Sequence, residues 1–312
     1  MHLDLLPSVF TIGILEAGLL GLLPVAVVLT YRISRTVAFV HGGFAILGGL
    51  LYAVLVNGPN RDDGFGLHPI MGQWAAFGLV VGMGALAATI FGTLVMSRWM
   101  AELPGITLTV ISIAGLLLFG NLAGFYLDPG GFSVASSPFG AGGTRVGRVV
   151  VTNHRLATLL ILMVIVTVMT LFLNRTYTGL AIRAIADDVE ASVWCGARLR
   201  LIGTGVYAVS GAIASMAGAL YASAIAEAAD GMLGLFVTGL LLAIVGGMRS
   251  VPLALAAAVL YGVLHTALVA GMFGTISPGW QQIWLFMALI TLIIVAARMR
   301  KESFFLLAGH QT

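Results

Sequence analysis

Runs of about 20 apolar residues recur along the entire chain, separated by short polar segments. A run of that length crosses the hydrocarbon core of a bilayer as one helix. Nine such runs can be read, at roughly 8–29, 36–56, 70–95, 105–125, 153–173, 201–223, 232–247, 251–271 and 280–297. Only 9% of the 312 residues are charged, against about 25% in a soluble domain. Little chain is left for a globular domain beside the spans. The expected fold is therefore all-α: one polytopic membrane helix bundle over 1–312, with about 8–10 transmembrane helices. The N-terminal "MHLDLLPSVF" lacks a basic n-region, so the first span is expected to remain.

The 41 glycines fit this reading. Small residues let helix backbones approach closely, and in lipid that contact is a main source of association energy. The second run, "TVAFVHGGFAILGGLLYAVLV", carries paired glycines and is the expected broken or re-entrant helix. The seventh is short, and Gly246-Gly247 is expected to interrupt it. The single Cys195 excludes an internal disulfide.

Cations fix the expected orientation. One set of alternating loops holds Arg32, Arg35, Arg98, Arg175, Arg183, Arg198, Arg200, Arg249, Arg298, Arg300 and Lys301. The other holds Arg61, Arg145, Arg148 and Arg155. The cation-rich set should be cytoplasmic, with the N-terminus outside and the C-terminus inside. The long loop at 126–152, rich in Gly, Ser and Pro, is then external and reads as turns or short strands. It is either a surface for an external partner or a plain connector. "HGGFAILGGLLYA" (41–53) and "SGAIASMAGALYA" (210–222) agree at six of thirteen positions, the echo expected of a duplicated half-bundle.

The charge of this chain gathers in the cytoplasmic segment 174–200, which includes "AIRAIADDVEASVWCGARLR". Asp187 and Glu190 have capping-box spacing, and Gly196 stands where a left-handed cap would end a short helix. Ala191, Trp194 and Cys195 share one helical face. Before them, Leu180, Ala184 and Ile185 share another. Two short helices at an angle are expected, with Arg183, Asp187 and Glu190 pairing at the rim. Their apolar side suits helix-in-groove recognition; a solvated connector is the plainer alternative. Trp194 fits either an interface anchor or the headgroup belt.

"TGLAIRAIADDVEASVWCG" resembles the cytoplasmic loop of bacterial ABC importer permeases, specifically the branched-chain amino acid permease family. That loop has the form T-x-x-G-x-A-x-R-A, an acidic residue, then A-x-x-x-x-G. Thr176, Gly179, Ala181, Arg183, Ala184, Asp188, Ala191 and Gly196 carry it here. "YRISRTVAFVHGGFAILGG" is similar to the family's "NFAHGEFMMLGA" segment, and "LLAIVGGMRSVPLALAAAVLYGVL" to its "VLGGLGSLPGALLGGLLLG" segment. Gly43 stands at the family's acidic position, Ala38 at its Asn, and Arg249 lies in the glycine-turn segment.

The resemblance implies a permease subunit in a bacterial cytoplasmic (inner) membrane. Two cytoplasmic ABC ATPase subunits would dock on Arg183, Asp187, Asp188, Glu190, Ala191, Trp194 and Gly196. A second permease, identical or homologous, and an external solute-binding protein would complete the assembly in membrane lipid. The cargo would be a branched-chain or other small amino acid, urea or a short amide. ATP and Mg would be bound by the partner ATPases, with no cofactor or metal expected in this chain. Its only lysine, Lys301, precedes Glu302, so it holds no phosphate-cradling Gly-Lys-Ser/Thr motif. Neither catalysis nor nucleic-acid binding is indicated.

Ionisable groups inside spans are costly and often functional. Glu16 is expected either in the pathway or as a carboxyl protonated or paired against a neighbouring helix. His265 reads as a hydrogen-bonded interhelical histidine. His41, followed by Gly42 and Gly43 and flanked by Phe39 and Phe44, is the other pathway candidate. A helix break there would expose backbone groups to a cavity. The rival function is a proton-coupled secondary transporter with Glu16 and His41 as carriers.

Overall fold

A computed structural model describes residues 6–58, 70–95, 105–127, 134–140, 142–146, 149–225, 229–248, 250–271, 277, 280–281 and 283–294. The elements are α1 (Leu6–Leu20), α2 (Leu22–Ser34), α3 (Val40–Asn57), α4 (Gln73–Val95) and α5 (Gly105–Leu127), then the strands β1 (Gly143–Val146) and β2 (Val149–Thr152). They continue as α6 (Asn153–Arg175), α7 (Tyr177–Asp187), α8 (Val189–Trp194), α9 (Leu199–Ala222), α10 (Ala229–Val245) and α11 (Val251–Val269). A last apolar helix, α12, covers Ile283–Ile294. Of the cations used to orient the chain, Arg61, Arg98, Arg148, Arg249, Arg298, Arg300 and Lys301 lie outside the described residues.

Among the described residues, α3, α4, α5, α6, α9 and α11 are each long and apolar enough to cross a membrane. The pair α1–α2 meets the same test across a 45° bend. α10 and α12 are shorter apolar helices. The nine apolar runs of the sequence thus correspond to these helices, with the first run divided in two.

The break is the first correction. It falls at Gly21, not in the second run. Pro24 lies in the first turn of α2, so it has no N–H to give to the carbonyl of Leu20, and its ring crowds that carbonyl. α3, by contrast, runs unbroken from Val40 to Asn57 through all four of its glycines. Those glycines are contact points. A side chain at Gly42 would strike Phe236, at Gly43 Phe119, at Gly48 the backbone of Ser215, and at Gly49 Met232. The seventh run does stop where expected: Gly247 and Met248 take positive φ after α10, and the Met248 N–H returns to the Ala243 carbonyl.

α3 and α9 form the interior. In α3, 72% of the apolar stretch is buried, against 22% in α5 and in α6. α9 packs on α2, α3 and α4; α5 covers α3; α1 packs on α11 and α6; and α10 lies on α2 and α3. The echoing segments 41–53 and 210–222 lie in α3 and α9 and face each other. Their first residues, His41 and Ser210, are hydrogen-bonded at 2.9 Å, and a side chain at Gly218 would come within 3.0 Å of the Gly49 nitrogen.

In the 126–152 segment, β1 and β2 pair antiparallel with Gly143 opposite Thr152. Residues before them cap the bundle end. Tyr52 donates to the Ser136 carbonyl (2.8 Å), the Ala135 N–H to the Ala222 carbonyl, and Ser137 bonds His154 (2.8 Å).

Candidate coupling surface and intramembrane polar sites

The segment after α6 forms two short helices. Thr176 caps α7 by accepting from the Gly179 N–H at 3.0 Å. α8 is capped by Asp188, whose Oδ1 accepts from the Ala191 N–H at 3.1 Å. The expected cap, Asp187, is instead the last residue of α7. Either aspartate has the chemistry of a cap; the packing of α7 extends that helix one residue further. Gly196 ends the unit at φ +89, its N–H on the Val193 carbonyl.

Leu180, Ala184 and Ile185, grouped by spacing, do not share one environment. Gly179, Ile182 and Ile185 are buried, whereas Leu180 and Ala184 are exposed. Tyr177 (93%), Leu180 (57%), Val193 (48%) and Trp194 (89%) are open, as are Ala191 and Cys195. Arg183, Asp187 and Glu190 are exposed as well, and no ion pair joins them to one another among the described residues. What fixes the unit to the membrane helices is Arg35. It adopts a left-handed conformation (φ 50) just after α2 and donates to the carbonyls of Ala186 and Asp187 (2.7 Å). A cation at those last carbonyls also meets the negative end of the α7 dipole. α2 and α7 are therefore mechanically joined.

The two intramembrane sites lie apart. His41 is fully buried in the first turn of α3. Its Nδ1 donates to the Ala38 carbonyl at 2.9 Å, which leaves Nε2 to accept from a hydroxyl. Thr30 Oγ1 lies at 3.1 Å and Ser210 Oγ at 2.9 Å, so α2, α3 and α9 meet at one imidazole. Phe39 and Phe44 flank it, packing on Phe236 and Phe119. Gly42 and Gly43 are helical and closed over by side chains, so the expected cavity of bare backbone is not formed there.

Glu16 on α1 meets His265 on α11, with Oε2 at 2.6 Å from Nδ1. Its Oε1 lies 3.7 Å from Arg155 Nη2 in the first turn of α6. The Tyr261 ring stacks on the imidazole at an interplanar angle of 4°. The expectation of a carboxyl paired to a neighbouring helix and that of an interhelical histidine are thus one contact. Arg155, grouped by charge with the loop cations, stands just inside a span, and that position is the sequence signal for its place beside Glu16. Glu16 and His265 line a cavity of about 540 Å³ with Thr238, Tyr261, Gln281 and Leu235. A mostly apolar wall with a few polar groups is the usual make-up of a small-molecule site. The cavity also takes in Tyr221 at the far end of α9, so it lies toward the bundle end remote from α7 and α8.

No curated protein and no solved structure matches the chain. A family described as branched-chain amino acid transport system / permease component matches residues 9–297. With helices that can span a membrane, a cavity at one end and an exposed helix pair at the other, the chain belongs to that family of transport permease components.

Proposed function

We propose that the chain is the membrane-spanning subunit of an ABC importer for branched-chain or other small amino acids, driven by ATP hydrolysis in partner subunits. The observation that carries this reading is the α7–α8 pair. It presents an open apolar face ending in Trp194 and is tied through Arg35 to the end of α2. A push on that face is transmitted to the bent α1–α2 pair, and α1 carries Glu16 to the cavity. ATPase closure below thereby alternates access above, with the spans holding two packings. A second permease and an external binding protein complete the assembly, in the cytoplasmic membrane with α7 and α8 inside. Among its described lining residues the cavity has an apolar wall and one carboxylate, which suits a small zwitterion more than a polyanion.

Trp194→Ala, or charge reversal at Arg183 together with Glu190, should leave the chain folded in membranes. Each should lower ATP-driven uptake by about tenfold, the equivalent of roughly 1.4 kcal/mol of lost coupling. Normal uptake by both variants would reduce α7–α8 to a connector.

The Glu16–His265 contact favours a second reading, a proton-coupled secondary transporter with Glu16 as carrier. Vesicles separate the two. Uptake that follows a proton gradient without ATPase partners would establish the second reading and end the first.

A further inference from the structure

α5 packs on α3, with Ser112, Gly115 and Ala123 buried. Its opposite face carries Ile106, Val110, Ile113, Leu117 and Asn121, all exposed. Their three- and four-residue steps make them one helical stripe. Every member but Asn121 is apolar. Asn121 stands one turn, about 6 Å, inward of Phe125, which is exposed beside Tyr126. Exposed aromatic rings at the end of a span mark the headgroup level, so Asn121 lies within the hydrocarbon. One of its amide N–H groups is committed to the Leu117 carbonyl at 2.7 Å. Among the described residues nothing meets the other N–H or the Oδ1. Lipid tails offer neither a donor nor an acceptor, and a polar group left bare among them is costly. Lipid alone therefore does not account for this face.

We infer that the Asn121 stripe of α5 is the contact with a second copy of this chain, the two amides hydrogen-bonding to each other. An amide both donates and accepts, so two of them satisfy one another. Two copies inserted in the same sense are related by a two-fold axis along the membrane normal. That axis sets α5 parallel to its twin and brings Asn121 level with the partner's Asn121. Amide bonds across helices hold transmembrane segments together, and a lone Asn in an apolar seam also fixes its register. A partner of different sequence would need a polar group at the same depth; a copy supplies it by symmetry. The pairing rests on the proposed function for the need of a second permease, and it names that permease as another copy of this chain. Association is read without ATPase, binding protein or cargo. A failed pairing thus leaves that function standing with a different second permease.

The test uses the full chain in native membranes, co-expressed with two different tags and with Cys195→Ser removing its only cysteine. Leu117→Cys, one turn from Asn121, should form a disulfide-linked pair carrying both tags on mild oxidation. Leu86→Cys on α4 is also exposed and should link about fivefold less. Adding Asn121→Leu to Leu117→Cys should lower the linked fraction about fivefold, whereas Asn121→Gln, which keeps the amide, should retain most of it. The Asn121→Leu chain should unfold at an unchanged Tm, because the side chain faces away from α3. Linking through Leu117→Cys no greater than through Leu86→Cys would overturn the contact. Linking that Asn121→Leu leaves intact would overturn the amide pair, and a lowered Tm would assign Asn121 to packing within one chain. A linked product that joins one tag to another protein would overturn the second copy as occupant.

Discussion

The seam between α3 and α9 and the seam between α1 and α11 are both built on glycine, yet they hold their polar groups differently. At the first, a fully buried His41 has hydrogen-bonded partners on both ring nitrogens. At the second, Gly13 and Gly262 bring the helices together, but the polar pair beside them is ionisable and partly open. The Glu16 side chain is 18% exposed and that of His265 35%. A closed, satisfied network has one arrangement. A pair bordering a cavity has alternatives, because water or a solute can take the place of either partner. The first seam reads as the fixed body of the protein, and the second as the part that can change.

The largest expected effect is at the fixed seam. Gly218→Leu would drive a side chain into the Ala45 carbonyl, and because neither backbone can yield, it should cost more than about 3 kcal/mol. The readout is loss of monodisperse protein on extraction. Gly82→Leu, where nothing lies within 4 Å, should be neutral and serves as the control; equal behaviour of the two would break the distinction. Next comes His41→Ala, which empties a fully buried imidazole site and removes its bonds to Thr30, Ser210 and the Ala38 carbonyl, and which should cost about 3 kcal/mol. A stability unchanged in thermal unfolding would show that this network holds little.

At the second seam the balance between stability and function should reverse. Glu16→Gln keeps the shape and should cost only about 1 kcal/mol, yet uptake should fall about tenfold. A variant that loses stability without losing uptake would assign Glu16 to packing alone. Smallest in stability is Trp194→Ala. At 89% exposed, it should shift unfolding by no more than about 0.5 kcal/mol whatever it does to transport.

Much of this architecture can be read from local pattern. Run length gives the helices, and Gly196 gives the end of the α7–α8 unit, because each is decided within a few residues. The break at Gly21 is missed by a reading that averages apolarity over 20 residues, although Pro24 marks it. The paired glycines of α3 mislead in the opposite sense. Glycine frees a backbone in isolation, but here Phe236, Phe119 and the Ser215 backbone fill the space each one leaves. The buried side of α7 is set by where the bundle lies, so spacing alone groups the buried Ile185 with the exposed Leu180. Glu16 and His265 are 249 positions apart, and no periodicity relates them; only the packing of α1 on α11 reveals the pair.

The central claim is that a separate protein grips the α7–α8 pair. Cys195 is the only cysteine in the chain and is exposed beside Trp194, so the native sequence carries its own probe. Maleimide labelling of Cys195 should be fast in the isolated chain and at least tenfold slower in the assembled transporter, with a short bifunctional crosslinker joining it to an ATPase subunit. Labelling equally fast in an assembly that is transporting solute would contradict the account.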